Sequence, residues 1–311
     1  MNNYKPQTTN HKLITILGPT ATGKTSLAAN LALQINGEVI SADSRQVYRG
    51  MDIGTGKDLN DFNVDGKIIP YHLIDIVEAG YEYNVYEYLN DFNKVYKEII
   101  FKNKQPIFCG GSGLYLEAVL KGYKLIDAPT DDKLREKLNA KTNDELIKIL
   151  SEYRSLHNTT DTSSRERLIR AIEIAHYNSI QTNKTEFQKI ESDVFGIYFE
   201  RALIKKRITE RLKKRLESGM VDEVKNLINK GVSADKLKYY GLEYKFITQY
   251  ISDEITYNEM FEKLNIAIHQ FAKRQMTWFR RMEKNGIKID WLNGNLTTEE
   301  KINQICHRFT D

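Results

Sequence analysis

The segment GPTATGKT has the residue types and the spacing of a phosphate-binding loop. Its eight residues are Gly18, Pro19, Thr20, Ala21, Thr22, Gly23, Lys24 and Thr25. The glycines let the backbone wrap so that successive N–H groups point inward, and the helix predicted to follow adds a partial positive charge. The Lys24 ammonium can reach phosphate oxygens, and the Thr25 hydroxyl can ligate Mg²⁺. We therefore expect a bound di- or triphosphate, although the loop does not specify the group that carries it.

A second set of polar side chains follows the next predicted strand. EVISA ends near Ala42, and Asp43, Ser44, Arg45 and Gln46 come directly after it. Ligands of parallel α/β sheets bind at the carboxyl ends of the strands, so Asp43 should face the phosphate loop across a cleft. Asp43 could ligate Mg²⁺, accept a proton as a general base or cap the next helix, and the residue types leave these three roles open. The Gln46 amide could pair with the edge of a nucleobase.

Three further polar residues lie near predicted turns or strand ends. The strand PIFC runs into GGSG, which places the Ser112 hydroxyl either beside the site or in a purely structural turn. Lys57 belongs to a second tight turn, GTGK. Asp75 ends the predicted strand YHLIDI, where we expect a structural role rather than a place beside a metal ion.

Composition excludes several classes of protein. The 311 residues are 41% hydrophobic and 28% charged, which is ordinary for a globular chain. Apolar runs are too short to span a membrane and the N-terminus lacks the apolar core of a signal peptide, so we expect a cytoplasmic protein without membrane association. Cys109 and Cys306 form no metal or redox motif. The lack of an NKxD guanine-binding motif argues against a GTPase, and the lack of an arginine-rich lid argues against a small-molecule kinase.

The order of the predicted elements indicates the fold. Short β-rich runs alternate with helical patterns in the first third of the chain, as a parallel sheet requires. The pattern then becomes helical, DVFGIYF returns to the sheet, and basic helices precede a late strand, IKIDWL (Ile287–Leu292). We expect a P-loop NTPase-like α/β fold, a parallel sheet flanked by helices, with an inserted all-helical domain. The predicted boundaries are 1–126 for the first part of the core, 127–192 for the insertion, and 193–311 for the return to the core with the basic C-terminal helices.

Positive charge is concentrated in the C-terminal third. The net charge is only +4, yet residues 201–215 contain eight arginines and lysines, among them Arg211, against the single acid Glu210. In FAKRQMTWFR, Lys273 and Arg280 share a cationic edge of a predicted helix. Local basic stripes on a nearly neutral protein fit contact with one polyanion. We expect Trp278 to pack in the core rather than to stack on a base.

The predicted insertion carries a further basic helix. SSRERLIRAIEI opens with a possible capping box formed by Ser163 and Glu166. Arg167 and Arg170 lie three residues apart on one helical face, where they could contact RNA. Alternatively, Glu166, Arg170 and Glu173 could pair with one another along the helix.

Taken in order, seven motifs resemble the tRNA dimethylallyltransferase (isopentenyltransferase) family of bacterial type. They are GPTATGKT, SADSRQVYRGMDIGTGK, YHLID, GGSGLY, RERLIRAIEI, RITERLKKRLESGMVDEV and FAKRQMTWFR. The match covers nearly the whole chain, and the second and last motifs are highly specific. The resemblance implies transfer of a dimethylallyl group from dimethylallyl diphosphate to N6 of the tRNA adenosine directly 3′ of the anticodon.

The resemblance also implies roles for individual residues. The phosphate loop would bind the donor's diphosphate with Mg²⁺ on Thr25 and with help from Arg211, while Asp43 would take the N6 proton. The implied catalytic residues are Asp43, Thr25, Lys24 and Arg211. The implied tRNA-binding residues are Asp43, Ser44, Arg45, Gln46, Ser112, Arg135, Glu166, Arg167, Leu168, Ile169, Arg170, Lys273 and Arg274. The expected partners are dimethylallyl diphosphate and the tRNA anticodon stem-loop, which the helical insertion would hold, and we expect a monomer.

Some positions depart from the family pattern, and other functions compete. Ser112 replaces the commoner threonine, Glu166 stands where glutamine is frequent, and no role is assigned to YYGLEYK (Tyr239–Lys245). The nearest alternative is an adenylate isopentenyltransferase, which would alkylate a free nucleotide. A small-molecule kinase and a non-catalytic RNA-binding protein are more distant alternatives.

Overall fold

A computed structural model describes residues 12–123, 125, 127–153, 164–180 and 189–310. The chain forms two compact units. Met1–Lys121 and Lys189–Asp311 make the larger unit, and Gly122–Gln188 makes the smaller one. The predicted insertion, 127–192, overlaps the smaller unit but ends inside a strand of the larger one, because residues from Ser192 onward pair with the sheet.

A parallel sheet organises the larger unit. Its strands are β1 (Leu13–Leu17), β2 (Gly37–Ala42), β5 (Tyr71–His72), β6 (Gln105–Gly110), β7 (Ser192–Tyr198) and β8 (Asp290–Asn293), and a separate hairpin joins β3 (Asn63–Val64) to β4 (Lys67–Ile68). Among the described residues the six strands lie in the order β5-β2-β6-β1-β7-β8, with every pair parallel. The central strand LITIL is buried along its whole length, as its unbroken apolar sequence requires. The α/β prediction is therefore confirmed.

Helices cover the sheet and continue beyond it. In the larger unit they are α1 (Lys24–Ile35), α2 (Val85–Phe101), α3 (Gly113–Lys121), α7 (Arg201–Glu217), α8 (Met220–Asn229), α9 (Ala234–Tyr239), α10 (Leu242–Ile251), α11 (Tyr257–Lys284) and α12 (Thr298–Thr310). Capping boxes begin α2 at Asn84 and α11 at Thr256. None of the helices in the described part of the chain combines the length and apolar composition that crossing a membrane would need.

Two predicted strands differ from the observed ones for identifiable reasons. The third strand ends at His72 because Leu73 and Asp75 have left-handed backbones, with φ of 60° and 56°. The late strand begins at Asp290 rather than Ile287, because the Ile287 amide donates to the Met282 carbonyl and closes the end of α11. Both strands still occupy the sheet, at its two edges.

In the described part of the smaller unit, three helices pack around an apolar core. They are α4 (Asp132–Asn139), α5 (Asn143–Tyr153) and α6 (Arg165–Ile180). Leu146, Leu150 and Leu168 are almost completely buried there. Ser163, half of the predicted capping box, lies outside the described residues.

A single carboxylate ties the turn after β2 to the C-terminal helices. Glu223 on α8 accepts hydrogen bonds from the amides of Asp52, Ile53 and Gly54 at 2.9, 2.6 and 3.0 Å. It also accepts the hydroxyl of Tyr244 at 2.7 Å. Convergent donors of this kind stabilise an anion strongly, so Glu223 fixes the 52–54 turn against α8 and α10.

We predict that Glu223→Ala lowers the free energy of unfolding by about 2 kcal/mol, because it leaves several donors without their acceptor. Thermal unfolding followed by circular dichroism measures the loss as a lower Tm. Glu217→Ala removes an exposed carboxylate at the end of α7 and serves as the control, with no comparable change. Equal Tm values for the two variants would contradict a structural role of Glu223.

Candidate active site

The phosphate loop joins β1 to α1 and is held by its own side chains. Gly23 precedes the helix with a left-handed backbone, φ 79°, which glycine adopts at little cost. The Thr22 hydroxyl and the Lys24 ammonium both donate to the Pro19 carbonyl, each at 2.8 Å. The loop thus wraps around the start of α1, where the N–H groups of the first turn are available to an anion.

A cavity of about 320 Å³ lies over this loop. Its lining residues are Ala21, Thr22, Gly23, Lys24, Thr25, Asp58, Asp61, Arg207, Glu210, Arg211 and Lys214. Four of these residues are cationic, one from the loop and three from α7. The basic helix of the C-terminal third therefore faces the glycine loop of the N-terminal third, which makes the cavity suited to a compact polyanion.

Two arginines of α7 contact the loop directly. Arg211 donates to the Thr20 hydroxyl at 3.2 Å, and Arg207 donates through Nε to the Ala21 carbonyl at 2.9 Å. Arg207 also lies over the Phe199 ring, 4.7 Å from its centroid. The structure thus places the sequence-predicted Arg211 beside the predicted loop.

Asp58 is a cavity residue that the sequence analysis missed. Its carboxylate accepts from Arg211, and its other oxygen lies 3.9 Å from Nη2 of Arg215. Gly56 packs beneath both guanidinium groups, and a Cβ there would collide with Arg215. The only sequence signal was its place directly after the GTGK turn, because no motif includes it.

Burial lowers the pKa of the Lys24 ammonium to about 8. The Arg211 guanidinium acts in the same direction, while the negative charges of Asp43 and Asp58 oppose it. Asp43 is therefore close enough to interact electrostatically with Lys24. By contrast, burial and the neighbouring Asp58 charge raise the pKa of the Asp61 carboxyl.

The segment after β2 is held against the second glycine loop. Oδ1 of Asp43 accepts the Arg45 amide at 2.8 Å. The Ser112 hydroxyl accepts the Ser44 amide at 3.0 Å, and the Ser112 amide donates to the Ala42 carbonyl at 3.1 Å. These contacts bring Asp43 and Ser112, two of the predicted site residues, to the same carboxyl edge of the sheet.

Gln46 and Arg45 are already engaged within the protein. The Gln46 amide accepts from the Ser41 hydroxyl and donates to the Gly56 carbonyl, both at 3.1 Å. The Arg45 guanidinium lies 5.6 Å from the centroid of the Tyr239 ring. Pairing of Gln46 with a nucleobase would have to compete with its two internal hydrogen bonds.

The cation of the GTGK turn is structural. The Lys57 side chain is completely buried, and it donates to the Tyr48 carbonyl at 2.6 Å and to Asp52 at 2.7 Å. It also donates to the carboxylate of Asp75. Asp75 therefore pairs with a buried lysine, in keeping with the structural role expected for it.

The segment FAKRQMTWFR lies on α11 and borders a second cavity of about 770 Å³. Lys273, Arg280 and Pro19 are among its lining residues, together with apolar side chains of α7 and α11. Arg274 lies 5.9 Å from the centroid of the Phe271 ring. Nε1 of Trp278 donates to Glu117 at 2.9 Å, which holds the half-buried indole against α3.

In the smaller unit, two predicted RNA-binding arginines belong to an internal network. The Glu173 carboxylate, only 2% exposed, accepts from Arg135 at 2.8 and 3.0 Å and from Arg170 at 3.3 Å. Arg170 also donates to the Ala128 carbonyl at 2.6 Å. Pairing of Arg170 with Glu173 along the helix, one of the two alternatives from the sequence, is thus present.

The residues of the RERLIR segment differ in their exposure to solvent. Glu166 and Arg167 are exposed, whereas Leu168 and Ile169 are only 1% and 6% exposed and pack in the core of the smaller unit. The tRNA contact of Leu168 and Ile169 stays a prediction, although α4 and α5 already cover the apolar surface of both side chains.

Thr25 and its neighbours suit a magnesium ion. Thr25, Asp58 and Asp61 line the same cavity, and their side chains carry the oxygen donors that Mg²⁺ prefers. No group of three or more His, Cys, Asp or Glu side chains that could hold a metal occurs in the described ranges. An ion there would depend on phosphate oxygens and water for most of its ligands.

Two family models and several relatives match this chain. The model described as IPP transferase matches residues 46–282, and one described as isopentenyl transferase matches residues 11–66. The tRNA dimethylallyltransferase 1 of Parabacteroides distasonis is 57% identical over 94% of this chain and 95% of its own length. The chain belongs to the IPP transferase family.

Other IPP transferase relatives agree with this assignment. The tRNA dimethylallyltransferase 2 of Phocaeicola vulgatus is 54% identical over 96% of this chain and 97% of its own length. The crystal structure of the tRNA isopentenylpyrophosphate transferase of Bacillus halodurans superposes with a TM-score of 0.71 at 31% identity, covering 97% of this chain and 96% of that one. The similarity thus extends over both sequence and fold.

For this IPP transferase, the lowered pKa of Lys24 predicts pH-dependent anion binding. The protonated ammonium attracts the anion, so affinity for inorganic diphosphate should be lost as the pH rises through about 8. Above that pH, the dissociation constant should increase roughly tenfold per pH unit relative to Lys24→Arg, which stays charged. Calorimetric titration between pH 7 and pH 9 without added metal measures it.

The Lys24→Arg protein is the matched control, because the ligand's own ionisation affects both proteins equally. A constant ratio of the two dissociation constants over this range would contradict a lowered pKa of Lys24.

Proposed function

We propose that this chain transfers the dimethylallyl group of dimethylallyl diphosphate to N6 of the tRNA adenosine directly 3′ of the anticodon. The single observation that carries the proposal is the cationic cavity in which Arg211 of α7 contacts the phosphate loop, with Asp43 near enough to affect Lys24. Membership of the IPP transferase family supports a diphosphate ester as the occupant. Relatives named tRNA dimethylallyltransferases support tRNA as the acceptor, which implies a cytoplasmic location.

The proposed leaving group explains the charge of the cavity. As the bond between C1 of the dimethylallyl group and the diphosphate oxygen breaks, both bonding electrons stay with the diphosphate. Lys24, Arg211 and the first amides of α1 are fixed positive groups that meet this developing charge without reorganisation. Loss of one such contact typically slows a reaction by about 100-fold or more.

The acceptor side requires a base. The N6 lone pair of adenine is delocalised into the ring, so the new N6–C1 bond forms only if the departing proton is accepted. The Asp43 carboxylate would take that proton. The target base must leave the anticodon stack to reach it. The hydroxyl of Thr25 would hold Mg²⁺, which would supply further positive charge at the diphosphate.

Exposed cations are proposed to contact RNA in each unit separately. On α11, Lys273 and Arg274 are exposed, and in the smaller unit Arg167 is exposed on α6. Arg45 and Ser112 are proposed to contact the flipped adenosine, because the Arg45 amide donates to Asp43 and the Ser112 hydroxyl accepts the amide of Ser44, the next residue. Glu166 would lie at the edge of the contact, since its negative charge opposes the phosphates.

The acceptor assay tests the function. Donor labelled in the dimethylallyl group is offered with unmodified tRNA, with the same tRNA carrying guanosine at the target position, or with AMP. We expect label only in the unmodified tRNA with adenosine at that position. Preferential labelling of AMP would identify an adenylate isopentenyltransferase instead, and turnover of ATP without donor would favour a kinase.

In the same assay, Asp43→Asn should lower the single-turnover rate by about 100- to 10,000-fold, the usual contribution of a general base. Affinity for tRNA, measured by filter binding, should remain close to wild type. Asp65→Asn, an exposed carboxylate in the turn between β3 and β4, is the control and should change neither. A collapse of tRNA affinity in Asp43→Asn would mark Asp43 as a recognition residue rather than the base.

A further inference from the structure

Gln275 is a buried amide at the centre of α11, only 7% exposed. Its Oε1 accepts the amide of Thr20 in the phosphate loop at 2.9 Å. Its Nε2 donates to the carbonyl of Gly111 in the second glycine loop, also at 2.9 Å. One side chain therefore bridges the two loops at the carboxyl edge of the sheet.

The chemistry of this bridge is specific to glutamine. The Thr20 amide can only donate and the Gly111 carbonyl can only accept, which fixes the orientation of the Gln275 amide. Glutamate could serve Thr20 but would offer no donor to Gly111 when ionised. Gly111 must also be small, because a Cβ there would lie 2.5 Å from Nε2 of Gln275.

The two loops that Gln275 contacts serve different parts of the proposed reaction, one the diphosphate and the other the base. On one side, the Thr20 hydroxyl accepts from Arg211, which links the loop to this cation of the cavity. On the other side, Gly111 precedes Ser112, whose hydroxyl accepts the amide of Ser44, the residue after Asp43. The chain of contacts thus runs from the anion cavity, through Gln275, to the segment that presents the base.

We propose that Gln275 is a positioning residue that sets the distance between the phosphate loop and the segment carrying Asp43. The inference rests on the proposed function and identifies an element of the same site. In-line alkyl transfer needs the reacting carbon, held by its diphosphate, and the nitrogen, oriented by the base, in near-attack geometry. A misplacement of about 1 Å can slow such a reaction about 100-fold.

The test compares two substitutions of Gln275. Gln275→Met keeps the volume and removes both hydrogen bonds, and it should lower the single-turnover transfer rate about 100-fold. Gln275→Glu keeps only the contact to Thr20 and should be similarly slow. Dissociation constants for tRNA should change little, since both loops remain present and only their spacing is released.

Amide hydrogen exchange gives a readout that does not depend on activity. The Thr20 amide should exchange faster in Gln275→Met than in wild type, but should stay protected in Gln275→Glu. Phe279→Leu, one turn further along α11 and fully buried, is the control for a general loss of packing. It should lower Tm while leaving both the transfer rate and the protection of Thr20 near wild type.

Two results would overturn the proposal. One is a Gln275→Met transfer rate equal to that of wild type, and the other is a slow rate matched by Phe279→Leu at the same loss of Tm. Failure of the proposed function is distinguishable: if the wild-type protein alkylates AMP rather than tRNA, the Gln275 variants should still be slow with AMP, because the bridge aligns donor and base regardless of the acceptor.

Discussion

Arg211 donates to the Thr20 hydroxyl across 191 residues of sequence, and the geometry of the site depends on this contact between α7 and the phosphate loop. The loop alone offers backbone amides and one lysine. With α7 in place, the cavity gains Arg207, Arg211 and Lys214, and burial lowers the pKa of Lys24. The site thus concentrates positive charge before any ligand arrives, which is the arrangement that a departing polyanion requires.

Neighbouring carboxylates stabilise the positive charge that is concentrated in the cavity. Asp58 accepts from Arg211 and lies near Arg215, so like-charged guanidinium groups share one carboxylate. Asp58 directly follows a turn that two side chains hold in place. Glu223 binds its backbone amides, and Lys57 pairs with Asp52 and Asp75. Carboxylates around the cavity, which are paired with groups of the protein itself, therefore stabilise its cations.

Local sequence patterns predicted the fold and those residues of the site that belong to short motifs. The phosphate loop, the parallel strands and the position of Asp43 follow from short segments whose chemistry is self-contained. Gln275, Asp58 and Glu223 were not predicted because their partners lie far along the chain, and no residue spacing within α11, around Asp58 or within α8 reveals them. Likewise, the basic pattern of RERLIR gave no indication that Leu168 and Ile169 face a core, which depends on the packing of α4 and α5.

In the proposed reaction, the phosphate loop holds a diphosphate whose bond to carbon breaks. Phosphorus-31 NMR of a reaction containing dimethylallyl diphosphate, ATP, Mg²⁺ and unmodified tRNA follows every phosphorus-containing product at once. We expect inorganic diphosphate in equal amount to the alkylated adenosine in the tRNA, with ATP unchanged. Orthophosphate or ADP formed from ATP, with dimethylallyl diphosphate intact, would contradict alkyl transfer at this loop.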